Sequence, residues 1–133
     1  MPAEAEALCP CGSGRDYMAC CGKYLEGGAP VPTAEALMRS RYTAYVKKNI
    51  VYLVETDFHD VDIEATKAWM ESATFHRVEI LKVYRGKALD KKGRVEFKAW
   101  YTEKGEEKVH HELSDFEKHK GRWYYSGGLA ANS

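Results

Sequence analysis

All four cysteines of this 133-residue chain, Cys9, Cys11, Cys20 and Cys21, fall within fourteen consecutive positions. The segment reads Cys9-Pro10-Cys11-Gly12-Ser13-Gly14-Arg15-Asp16-Tyr17-Met18-Ala19-Cys20-Cys21-Gly22: a C-x-C pair, eight intervening residues and an adjacent pair. Two closely spaced pairs of thiolates supply the donors of a closed tetrahedral metal site. Soft sulfur ligands favour Zn²⁺, with iron the weaker match. A disulfide reading fares worse, because bridging the adjacent Cys20 and Cys21 strains the backbone. Residues Met1 to Leu8 are acidic, with Glu4 and Glu6, and hold no apolar stretch of the kind a secretory leader needs. The C-x-x-C spacing of thiol oxidoreductases is absent.

Eight residues are enough for the chain to reverse and return the second pair to the first. Gly12, Gly14 and Gly22 permit backbone conformations that turn N–H groups towards sulfur and so orient the ligands. Four thiolates around Zn²⁺ leave a formal charge of about −2, so a nearby cation is expected; Arg15 and Lys23 are the local candidates. Tyr17 and Met18 are expected to cover one side of the ion. The segment resembles the SEC-C motif, C-x-C-x8-C-[CH], known from the tail of the bacterial preprotein translocase ATPase. That resemblance implies zinc held by Cys9, Cys11, Cys20 and Cys21, and a protein partner docked on this end of the chain.

The rest of the chain must position this segment and form a core. Gly27-Gly28 with Pro30 and Pro32 predict a linker over 22–32. Thr33 reads as an N-cap, and Ala34, Leu37, Met38, Tyr42 and Tyr45 recur at helical spacing on one inward stripe. Arg41 lies on that stripe, whereas Arg39 points elsewhere and is expected to be solvated. Residues 49–57 read as a second short helix or an irregular buried segment, and Phe58-His59-Asp60 as a loop. Asp60 or Asp62 caps a helix to about Ser72, with Ile63, Ala65, Trp69 and Met70 as its apolar members. Beyond Thr74, β-branched and aromatic residues alternate with charges. Three turn signals, Asp90-Lys91-Lys92-Gly93, Glu103-Lys104-Gly105 and His119-Lys120-Gly121, divide this half into strands near 75–89, 93–102, 106–118 and 122–129. Gly86 is expected to mark a bulge in the first of them.

Helices followed by a four-stranded antiparallel meander define an α+β layout. The stretches Leu37-Met38-Arg39-Ser40-Arg41-Tyr42-Thr43-Ala44-Tyr45, Phe97-Lys98-Ala99-Trp100-Tyr101 and Gly121-Arg122-Trp123-Tyr124-Tyr125 resemble the YchJ-like family. The resemblance implies a SEC-C motif over 1–29, then a nuclear-transport-factor-2-like (NTF2-like) cone of the cystatin type over 30–133. A curved sheet wrapped over helices encloses a cavity. In the third strand His110, Glu112, Ser114 and Phe116 share one side, and Val109, His111, Leu113 and Asp115 the other. Arg41, Glu112 and Ser114, walled by Phe97 and Trp123, are the candidate pocket. Pairing of Arg41 with Glu112 as a structural ion pair is the simpler reading. An anion contact at Arg41, or a carboxylate base with a raised pKa, is the sharper one.

Basic and acidic residues balance at 20 each, which gives no electrostatic case for nucleic acid. No apolar run reaches the length of a membrane span. Thiolate ligands and the missing leader point to the cytoplasm. Two functions are weighed. The favoured one is a non-enzymatic zinc-binding adaptor, its knuckle docking a protein and its cone binding a second partner or a small ligand. The alternative is a pocket enzyme of the isomerase or hydratase type.

Overall fold

The computed structural model describes residues 8–130. Residues 1–7, on which the expectation of no leader rests, lie outside them. A 3₁₀ turn, Tyr17–Ala19, and a short helix α1, Gly22–Leu25, complete the cysteine segment. Three helices follow: α2 Ala34–Lys47, α3 Ile50–Glu55 and α4 Ile63–Ser72. Four strands complete the chain: β1 Ala73–Arg85, β2 Lys92–Glu103, β3 Glu106–His119 and β4 Arg122–Ala130. They form one antiparallel meander in the order β1-β2-β3-β4. The α+β cone expected from the sequence is the observed fold.

Helices α2, α3 and α4 each start where a short polar side chain can satisfy a free backbone N–H. Thr33 accepts from Ala36 N at 3.1 Å, Asn49 from Tyr52 N at 3.0 Å and Asp62 from Ala65 N at 3.0 Å. Helix α2 ends at Lys48, which takes a left-handed conformation with φ 59°. Its Nζ then reaches the Met70 carbonyl on α4 at 3.0 Å. The core stripe of α2 packs onto the inner face of the sheet, where Val95, Phe97, Ala99 and Phe116 are buried.

The strands depart from expectation at one place. Residues Lys104-Gly105 and Lys120-Gly121 both have positive φ and make the two tight hairpin turns the sequence announces. The 90–93 signal does not behave this way: Gly93 lies inside β2, and the connection runs through residues 86–91. Accordingly β1 ends at Arg85 rather than 89, and Gly86, with φ 78°, follows the strand instead of bulging it. The reason is a crossing too close for side chains. A methyl group on Gly86 would sit 2.6 Å from the Ala34 Cβ, and one on Gly93 would sit 2.5 Å from the Gly86 Cα. Ala34 N also donates to the Gly86 carbonyl at 2.9 Å, so the start of α2 is bonded to the end of β1. The register shifts lie between Phe75 and Arg77, between Ile80 and Lys82, and between Asp115 and Phe116. These bend the sheet around the helices.

Residues 22–32 are not a plain linker. Helix α1 continues the cysteine segment, Tyr24 and Leu25 pack against the core, and Val31 is buried in it. No helix among the described residues is long and apolar enough to cross a membrane.

Candidate metal centre and cone cavity

The Cys9–Cys21 segment folds back on itself through a bridge between Leu8 and Asp16 and a bond from Cys9 N to the Arg15 carbonyl at 2.9 Å. The reversal buries all four cysteines, and their sulfurs lie within 4.8 Å of one another. A Zn–S bond of about 2.3 Å gives tetrahedral S···S edges of about 3.8 Å, and the Cys11 and Cys20 sulfurs stand 3.6 Å apart. The donor set therefore fits one ion with no coordination position left over. All four cysteines are free rather than bridged.

Electrostatics point the same way. A hydrogen bond with the Cys11 side chain, and a second with Cys21, lowers the Cys9 thiol pKa against the opposing effect of burial. The same neighbours, Cys11 before Cys9, push Cys21 up. A buried quartet of thiols resists full ionisation unless a cation is added. Ser13 Oγ is hydrogen-bonded to Cys20 Sγ at 3.2 Å and accepts from Arg15 N, and Thr43 Oγ1 stands 3.8 Å from Cys9 Sγ. Such contacts orient thiolates.

A cation from α2 also reaches the cysteine segment. Arg39, expected to be solvated, donates from Nη1 to the Cys11 carbonyl at 2.7 Å and from Nε to Glu35 at 3.0 Å. Thr43 and Lys47 follow it at intervals of four along α2. Thr43 meets Cys9, and Lys47 Nζ lies 4.4 Å from the centre of the Tyr17 ring. This second stripe on α2 seats the knuckle. Tyr17 covers the sulfurs as expected, and its hydroxyl donates to Glu26 at 2.9 Å. Met18 does not: it is 62% exposed.

On the opposite side of α2, the cone encloses a cavity of about 110 Å³. Arg41, Phe97, Glu112 and Ser114 line it as expected, with His110 and the rings of Tyr42, Tyr45, Trp69, Phe75 and Tyr125. Trp123 does not. It is buried beneath the residues that precede α2, where Nε1 donates to the Pro32 carbonyl at 3.2 Å. Arg41 and Glu112 both reach the cavity without pairing. Arg41 donates to the Leu53 carbonyl at 3.0 Å and to Thr56 Oγ1 at 2.8 Å, lies 3.8 Å from Asp57, and stacks 4.6 Å from the Tyr125 ring centre. Asp57 is held there by a parallel bridge to Tyr125.

Glu112 is bound by a different set of groups. Its Oε1 bonds His110 Nε2 at 2.7 Å, and its Oε2 accepts from Ser114 at 2.6 Å and Tyr125 at 2.9 Å. Burial alone would raise its pKa, but these donors outweigh it and hold the carboxyl below its ordinary value. The bulge at Asp115/Phe116 aligns Tyr125 with Phe116 and aims the phenol at Glu112. Tyr125 was missed as a pocket residue because a bulge shifts the alternation that strand reading relies on. His59 is exposed in its loop, with its N–H on Asp57.

Fold and site together define a protein that carries a SEC-C cysteine motif ahead of an NTF2-like cone. Residues 7–23 match the SEC-C motif, and residues 33–128 match the family described as "YchJ, middle NTF2-like domain". The chain belongs to the YchJ family, whose curated relatives carry the name UPF0225. It is 42% identical over 125 residues to a UPF0225 protein of Geobacter sulfurreducens, covering 91% of this chain and 78% of that one. A UPF0225 protein of Corynebacterium efficiens is 40% identical over 131 residues, covering 98% and 99%. The fold is similar to the solution structure of a SEC-C motif containing protein from Rhodopseudomonas palustris, with a TM-score of 0.84, 40% identity, and 93% and 98% of the two chains covered. It is also similar to the crystal structure of a SEC-C motif containing protein from Psychrobacter arcticus, with a TM-score of 0.79, 28% identity, and 100% and 87% covered.

Proposed function

We propose that this protein is a zinc-binding interaction protein: a metal-stiffened knuckle presents a surface to a protein partner, and the cone serves as a second recognition site. The observation that carries this reading is the closed sulfur quartet. Every donor is a buried thiol and no position remains for water or substrate, which is the design of a structural ion rather than a catalytic one. A structural ion gives shape to what surrounds it. In this segment Leu8 and Met18 are left 52% and 62% exposed, and Arg15, Lys23, Tyr24, Glu35 and Arg39 line a surface groove. Exposed apolar side chains rimmed by charge suit protein docking. Zinc fits the all-sulfur set better than iron, and thiolate ligands suit a reducing compartment. The boundary lies at 29/30 in this reading.

The enzyme reading has one observation in its favour, the 2.7 Å bond that orients His110 with Glu112 beside the cavity. Against it, Glu112 is held below its ordinary pKa, the opposite of what carboxylate acid or base chemistry asks for. The test uses Met18→Asp, which alters the knuckle surface while leaving the ligands intact. Affinity capture with this variant is expected to lose a partner that wild type retains, at unchanged zinc content. Identical partner sets from the two proteins would contradict docking through the knuckle.

A further inference from the structure

The cavity of the cone has a definite electrical and steric character. It is lined by one carboxylate, Glu112, and one guanidinium, Arg41. Arg41 is already engaged by the Leu53 carbonyl, Thr56, Asp57 and the Tyr125 ring. Glu112 accepts two bonds at Oε2 but one at Oε1, so one acceptor site of Oε1 is left over. The walls are aromatic. Trp69 meets Tyr45 and Phe75 edge to face, each at 5.3 Å between ring centres, and Tyr42 meets Phe75 the same way at 6.0 Å. These rings line the cavity, and aromatic rings attract cations.

These features discriminate between ligand classes. An anion would be set against Glu112. A neutral apolar guest would add no partner for the buried carboxylate. A cation meets both the carboxylate and the ring faces. The space is small: a cavity of roughly 150 Å³ takes benzene, and this one is about 110 Å³. It therefore admits a compact head group rather than a whole drug-sized ligand. His110, with 34% of its side chain exposed, and the half-buried Trp69 give the head group a way in.

We propose that the cone cavity binds a small organic cation, the head group of a protonated or quaternary amine, seated against Glu112 Oε1 and boxed by Tyr42, Tyr45, Trp69, Phe75 and Phe97. This rests on the reading of the cone as a recognition site and adds the class of ligand. Gly128 makes room for the carboxylate itself: a methyl group there would fall on Glu112 Oε2.

Four probes of similar size test it: tetramethylammonium, n-propylammonium, propionate and tert-butanol, titrated into the full chain and followed by ¹H–¹⁵N NMR. The three tryptophans provide an internal control. The Trp69 indole lines the cavity, Trp100 stacks with Arg77 at 3.6 Å, and Trp123 is buried against Pro32. Both ammonium ions are expected to shift the Trp69 indole signal saturably while Trp100 and Trp123 stay still. Propionate and tert-butanol are expected to bind at least about tenfold more weakly. Glu112→Gln is expected to weaken the ammonium ions about tenfold and leave tert-butanol unchanged. Phe75→Leu, which keeps both the carboxylate cluster and the Trp69 reporter, is expected to weaken them as well. If propionate or tert-butanol binds as tightly as the cations, the cation assignment is overturned and the cone remains a recognition site of another class. If no probe moves Trp69, both the assignment and the small-ligand reading of the cone are overturned.

Discussion

Arg41 and Glu112 enter one cavity with opposite charges and neutralise neither each other nor themselves; each is satisfied by its own neighbours. For Arg41 the critical neighbour is Asp57, since removing a guanidinium leaves a carboxylate with 15% of its side chain exposed and no cation. Arg41→Met is expected to cost about 3 kcal/mol of stability, read by urea denaturation, and a loss below about 1 kcal/mol would show that the Leu53, Thr56 and Tyr125 contacts matter little. For Glu112 the sign follows from its lowered folded pKa. Its contribution is full at pH above the ordinary carboxylate value, where both folded and unfolded forms are ionised. It is lost as pH falls through the lowered value, where the folded form must also take up a proton. The stability difference between wild type and Glu112→Gln is therefore expected to shrink between about pH 5 and pH 3. A difference that stays constant, or grows, over that window would show that the hydrogen bonds from His110, Ser114 and Tyr125 do not favour the ionised form.

At the scale of elements, α2 is the member that everything else uses. One stripe enters the sheet core, Arg39, Thr43 and Lys47 seat the knuckle, and Ser40, fully buried, bonds the Tyr52 hydroxyl on α3 at 2.7 Å. The helix was legible as one amphipathic face because apolar repeats stand out in a sequence. Its second face was not, because it is covered by polar side chains that meet backbone and sulfur, and in sequence these look like residues facing water. The clustering of the four cysteines and the inward set of β3 could be read from spacing alone. The absent Arg41–Glu112 pair, the position of Trp123 and the end of β1 could not, since each depends on which chain segment crosses which. The Gly86–Gly93 crossing is the clearest instance. Gly93→Ala is expected to cost about 1–3 kcal/mol, because both the Gly86 backbone and Ala34 stand in the way. Thermal denaturation reads this directly, and an unchanged midpoint would mean that β1 and β2 can separate there freely. For the knuckle, Cys11→Ser is expected to lose hydrogen-exchange protection over 9–22 while the amides of β2 and β3 retain theirs. Loss of protection throughout the sheet would mean that the knuckle and cone fold as one unit.

The whole molecule places two differently built sites on opposite sides of one helix: a sulfur quartet on one, an aromatic cavity with a carboxylate seat on the other. Their separation makes a further expectation concrete. Removing the ion with a chelator should leave ammonium binding in the cone within about twofold of its original strength, because the cavity is lined by the sheet and helices rather than by the cysteine loop. A chelated protein that no longer binds ammonium ions would tie the two sites into one. The claim beneath all of this is that four thiolates hold a single ion in the Cys9–Cys21 loop. Zinc-edge X-ray absorption on the purified full chain, combined with metal analysis, tests it most directly. The expected result is about one zinc per chain with four sulfur neighbours at about 2.3 Å. Oxygen or nitrogen in that shell, much less than one ion per chain, or a native disulfide among the four cysteines would contradict it.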